Sequence, residues 1–130
     1  MTAPAPAPVR VLVVEDFDQL RDMLVRGLEQ AGFVAAGAGS VREALEVRPE
    51  AYDIVVADQR LGDGLGADLF RALYDGDPGL AARFVLMTAD EHDLRLPAEV
   101  PVLVKPFRIA ILVDAIHRLP GRPRPPAAGS

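Results

Sequence analysis

The sequence predicts a doubly wound α/β fold, and three observations carry that expectation. Short apolar runs recur along residues 9–104, stretches with helical spacing separate them, and most of the runs end on polar or charged residues. Runs at 11–14, 54–57, 84–87 and 102–104 are rich in β-branched side chains and lack polar alternation, as strands buried on both faces of a parallel sheet do. Residues 33–38, FVAAGA, are a weaker candidate, placed as an edge strand. Five strands alternating with helices specify a sheet covered on both faces.

The helices follow in order. Leu20, Met23, Leu24, Gly27, Leu28 and Ala31 fall at i, i+3, i+4 spacing, and Gly32 supplies a stop. Asp18 stands where an N-cap belongs. Ser40 is placed to cap residues 41–47, VREALEV, with Glu43 completing a capping box. Residues 67–76 and 109–119 are amphipathic in the same way. Asp53 and Asp63 read as turn residues. His92 and His117 have no ligand spacing to one another and read as solvated. Only sixteen residues separate Thr88 from Lys105, including Pro97 and Pro101, and Leu94 and Leu96 are not helically spaced. The fourth helix is therefore expected to be shortened, irregular or mobile.

Composition bounds the rest. The 130 residues are half apolar, enough for one domain at 9–119 between flexible proline-rich tails at 1–8 and 120–130. A net charge of −5 argues against a nucleic-acid binder, which shows a basic face. No cysteine means no disulfide framework, thiolate metal site or Cys nucleophile. The apolar runs are too short to insert in a membrane, so a cytoplasmic location is expected.

In doubly wound folds the working site lies beyond the carboxyl ends of the strands, where the strand order reverses. The first run ends at Glu15 and Asp16, the third at Asp58, the fourth at Thr88 and the fifth at Lys105. Two carboxylates about 5 Å apart at an effective dielectric near 20 repel by roughly 3 kcal/mol, and a third adds to it. Lys105 offsets part of this. Either some of these acids stay protonated or a cation binds. Oxygen ligands without His or Cys favour a hard ion such as Mg²⁺. A cation beside a carboxylate, an ammonium and a hydroxyl is equipment for phosphoryl transfer, with Asp58 as nucleophile.

The segments VVED (13–16), VVAD (55–58), LMTA (86–89) and VKPF (104–107) occur in this order at strand ends, and residues 9–119 resemble a response-regulator receiver domain of two-component signalling. The resemblance implies a flavodoxin-like sheet of order 2-1-3-4-5. It implies that Asp58 accepts phosphate from a histidine kinase or histidine phosphotransfer protein. Asp16, Asp58 and the backbone carbonyl of Arg60 would bind Mg²⁺, with Glu15 acting mostly through water. Thr88 would hydrogen-bond the phosphoryl group, Lys105 would pair with it, and the Lys105–Pro106 bond would be cis. Residues 62–66, GDGLG, would form a mobile turn beside the acceptor. The output would pass to a downstream protein target or a parent hybrid kinase, without direct nucleic-acid contact.

Three features depart from the family pattern. Val102 takes the place of an aromatic that accompanies movement of the Thr, the fourth helix is short of sequence, and Arg60 and Asp90 flank the path of hydrolytic water. Two other functions fit less well. A small aspartyl-phosphate phosphatase wants an acid where Arg60 stands. A receiver-like binding module that is not phosphorylated does not explain the full set of Glu15, Asp16, Asp58, Thr88 and Lys105.

Overall fold

The structure is a computed structural model that describes residues 7–119. The tails assigned to residues 1–8 and 120–130 lie almost wholly outside this range. The chain forms β1 (Arg10–Val14), α1 (Asp18–Gln30), β2 (Val34–Ala38), α2 (Val41–Glu46), β3 (Ile54–Asp58), α3 (Gly66–Gly76), β4 (Phe84–Thr88), β5 (Val102–Val104) and α4 (Ile109–His117). Short 3-10 turns at Pro49–Ala51 and Pro78–Ala82 lead into β3 and β4. All strands pair in parallel, in the order β2-β1-β3-β4-β5.

Strand period decides what each face buries. Leu12, Val14, Val55, Ala57, Phe84 and Leu86 point to one side, joining Ala44 of α2 and Leu69 and Phe70 of α3. Val11, Val13, Ile54, Val56, Val85 and Met87 point to the other, joining Leu24 and Leu28 of α1 and Leu112 and Ile116 of α4. Alternate residues thus feed two cores, which is why these runs carry no polar alternation. The Phe84 ring meets Phe70 edge-on at 5.1 Å between centroids.

Several sequence expectations need correction. β5 is not buried on both faces: as the edge of the sheet it is half-exposed, and Val104 is open to solvent. Met23 follows the helical period of α1 but faces outward, so the buried stripe of α1 is Leu24 and Leu28. Asp18 is the first residue of α1 rather than its cap, and its carboxylate pairs with Arg21. The Ser40 hydroxyl does cap α2 by accepting from the Glu43 amide, but the Glu43 carboxylate accepts from Gly39 instead of closing the box on Ser40. His117 is exposed yet packs its ring 5.7 Å from that of Phe33.

No helix forms between β4 and β5. Residues 89–101 run as turns and extended chain, with Asp93 and Arg95 in the left-handed region at φ 57° and 55°. The segment is tacked down by Val100, which is buried, and by the half-buried Leu94 and Leu96 against the α3 side of the sheet. Among the described residues no helix is long and apolar enough to cross a membrane.

Candidate functional site

The topology itself gathers the site. After β1 the chain moves outward to β2, then crosses back to lay β3 on the other side of β1, so the connections leave β1 and β3 in opposite directions and open a crevice at their carboxyl ends. Val14 pairs with Ala57, which places Glu15 and Asp58 at the same height on neighbouring strands. The Glu15 amide donates to the Ala38 carbonyl at 3.0 Å, extending the β1–β2 ladder one residue past the strand. Glu15 therefore points into the rim and is buried, while Asp16 follows it into solvent.

Three of the predicted acids do converge. Glu15, Asp16 and Asp58 each offer a carboxylate oxygen, and these atoms lie within 4.8 Å of one another. From the opposite side of the crevice Lys105 places its Nζ 3.1 Å from Glu15 Oε2 and 3.2 Å from Asp58 Oδ2. The Lys105 amide donates to the Thr88 carbonyl, and the Lys105–Pro106 bond is cis. Burial pushes the Glu15 carboxyl up to about 7 from an ordinary 4.5, with the charge of Asp58 adding to the shift and the Lys105 contact opposing it. One ammonium thus leaves the cluster short of positive charge. Oxygen donors, no nitrogen or sulfur ligand and an uncompensated negative surplus suit a hard divalent cation, so the residues present fit Mg²⁺.

Thr88 is buried at the end of β4, but its hydroxyl is already engaged. It donates to the Asp90 carbonyl at 2.8 Å and accepts from the Asp90 amide at 3.1 Å. Asp90 in turn takes the His92 amide at 3.0 Å and pairs with the His92 ring. Those bonds hold the Asp90 carboxyl below its usual range and the His92 ring above its own. Arg60 is exposed, and its backbone bridges to Leu65 across the turn that follows the acceptor.

That turn is pinned rather than free-standing. Gly62 adopts φ 73°, a left-handed geometry that suits glycine, and the Leu61 amide donates to the Gly64 carbonyl. Asp63 then reaches the start of α2: its carboxylate accepts from the Val41 amide at 2.9 Å and the Arg42 amide at 3.0 Å, which lowers its pKa. Reading Asp63 as a turn residue missed this contact. Local sequence carries no signal for a cap supplied from more than twenty positions away. Arg21 was also missed, although the Asp18–Arg21 spacing of i, i+3 marks an ion pair. Its guanidinium also donates to the Glu15 carbonyl.

Residues 11–117 match the response regulator receiver domain family. The chain is 29% identical over 114 residues to the response regulator receiver protein CpdR of Brucella abortus, covering 85% of this chain and 95% of CpdR. It is 35% identical over 115 residues to the sensor kinase CckA of the same organism, covering 84% of this chain and 12% of CckA. The chain spans about half the length of the probable transcriptional regulator SilR of Salmonella typhimurium, which it matches at 35% identity over 119 residues. Among solved structures, the non-phosphorylated HemR receiver domain from Leptospira biflexa superimposes with a TM-score of 0.74 at 30% identity, covering 90% of this chain and 98% of that one. The family match runs from the second residue of β1 to the last residue of α4, so the fold described above belongs to the response regulator receiver family.

Proposed function

We propose that Asp58 accepts a phosphoryl group from a phosphohistidine, carried by a histidine kinase or a histidine phosphotransfer protein, and that the chain acts as a switch rather than a turnover enzyme. The observation that carries this is the Lys105 ammonium held between two buried carboxylates, with Asp16 beside them. An Asp58 oxygen attacks phosphorus, the bond from phosphorus to the imidazole nitrogen breaks, and the imidazole leaves with the electron pair and takes up a proton. The product is an acyl phosphate.

Each neighbour has a task in that exchange. Lys105 sits within reach of Asp58 and neutralises charge on the incoming phosphoryl oxygens. Thr88 supplies a hydroxyl to the same group once it leaves Asp90. Asp16, Asp58 and the Arg60 carbonyl would hold Mg²⁺, with Glu15 behind them, and the ion supplies further neutralisation of phosphoryl charge when bound. A groove of about 690 Å³ between α1 and the start of α4, lined by Leu20, Met23, Gly27, Phe107 and Ile109, runs up to Lys105 and Pro106. A donor helix seated there presents its phosphohistidine to Asp58. The output passes to a protein target, or to a parent kinase if the chain works as part of one.

Incubation with a small phosphodonor and Mg²⁺, read by intact mass, tests the proposal. One phosphoryl adduct is expected on the parent and none on Asp58→Asn. An adduct that survives in Asp58→Asn refutes the acceptor assignment. Continuous consumption of the donor without adduct points instead to a phosphatase.

A further inference from the structure

Arg21 lies in a slot at the carboxyl end of β1 and β2, and its side chain is mostly covered. One Nη donates to the Glu15 carbonyl at 2.8 Å and the other to Asp18 Oδ1 at 2.7 Å. The floor of the slot is glycine. A Cβ on Gly37 would stand 2.8 Å from Arg21 Cδ, and one on Gly39 would stand 3.2 Å from its Nη1. Any larger residue at Gly37 has to displace the arginine.

These contacts act on one peptide unit, the one joining Glu15 to Asp16. Its carbonyl, that of Glu15, is held by Arg21, and the preceding peptide unit is held through the Glu15 amide by the Ala38 carbonyl. Orientation of that peptide plane sets ψ of Glu15 and φ of Asp16. It therefore decides whether successive acids diverge or meet across the crevice from Asp58.

We propose that Arg21 is a positioning residue for the cation site, holding the Glu15–Asp16 peptide so that both carboxylates converge with Asp58, and that Gly37 and Gly39 provide the space that lets it do so. The inference rests on the metal reading above. Outer contacts that orient ligands change metal affinity by roughly ten- to a hundredfold when removed. Charge alone gives the opposite sign: deleting a nearby cation strengthens binding of another cation. Weakened binding therefore separates positioning from long-range electrostatics.

The experiment compares the parent with Arg21→Met, Arg21→Lys, Gly37→Ala and Asp16→Asn, each checked for folding by urea midpoint in chelator. Mg²⁺ affinity is measured by calorimetry, and the Mg²⁺ concentration for half-maximal phosphoryl adduct is measured alongside. Arg21→Met and Gly37→Ala are expected to weaken Mg²⁺ about tenfold and to shift the half-maximal concentration equally, with the adduct level at saturating Mg²⁺ unchanged. Arg21→Lys restores part of the loss. Binding within twofold of the parent, or tighter, in Arg21→Met while Asp16→Asn loses the ion overturns the inference and leaves the metal site standing. Unaltered Mg²⁺ binding in Asp16→Asn removes the metal site and the inference together. Gly37→Ala crowds the same slot while leaving the arginine in the sequence, so it decides the matter if Arg21→Met fails to fold.

Discussion

Glu15→Gln should abolish a pH dependence that the metal-free protein carries through neutrality. In the native state the buried carboxyl titrates at about 7, whereas in the unfolded chain it returns to about 4.5. Between those values the folded protein holds a proton that the unfolded chain has already released. Stability is then linked to that proton: the contribution is complete below pH 4.5 and is lost as pH rises through 7. At about 1.4 kcal/mol per pH unit the interval is worth roughly 3 kcal/mol, or a urea midpoint shift of about 1–2 M. Urea titrations from pH 5 to pH 8 in chelator, on the parent and on Glu15→Gln, read it directly. The pairing of His92 with Asp90 also titrates, but it is common to both proteins and cancels in their difference. Parallel stability profiles would sink the claim that burial, rather than solvent, governs Glu15. Adding Mg²⁺ should stabilise the parent clearly at pH 8 and little at pH 5, because at the lower pH Glu15 is protonated.

Two other perturbations follow from the same geometry. Gly66→Ala brings a Cβ to 2.4 Å from the Asp58 carbonyl oxygen and 2.8 Å from Leu86 Cδ1, a clash with backbone and core together. It should cost about 2–3 kcal/mol by denaturant unfolding and shift the Asp58 amide resonance, and a neutral result would mean the α3–β3 approach is looser than described. Asp63→Ala removes the acceptor for two α2 amides, so the Val41 and Arg42 amides should exchange faster with solvent while those of β1 keep their protection. The variant should also lower the urea midpoint more at pH 7 than at pH 3, since the depressed carboxyl pKa gives stability that is present above 3.8 and lost as the pH falls through the native value.

Strand content and the polar strand ends were legible because buried parallel strands lose polar alternation and because a carboxylate or ammonium just past an apolar run is conspicuous. The segment between β4 and β5 was legible as a shortened or irregular helix, though not as the complete absence of one: Pro97 and Pro101 remove donors, and the spacing of Leu94 and Leu96 gives no helical face. What sequence could not show was partnership at a distance. Asp63 looks like any turn aspartate until α2 begins beside it, and Arg21 looks like half of a surface ion pair until the carbonyl of Glu15 comes within 2.8 Å. β5 misled because a short apolar run reads the same whether one of its edges is covered or open. Met23 misled because helical period assigns a stripe of about 100° but not its margins.

The position of Thr88 bears on how a phosphorylated form would be read. Its hydroxyl closes a turn on both the amide and the carbonyl of Asp90, and Asp90 holds His92 by backbone and ring. If Thr88 turns toward Asp58, as proposed, it gives up both bonds, and the Asp90 amide and carbonyl must find water or a new partner. Residues 89–101 have no helical hydrogen-bond ladder to resist that change; they are attached through Val100, Leu94 and Leu96. Val102 has no ring to swing between an inner and an outer site. On that proposal, displacement at the acceptor would reach the surface along the chain, through the Asp90–His92 turn into the extended segment, instead of across β5.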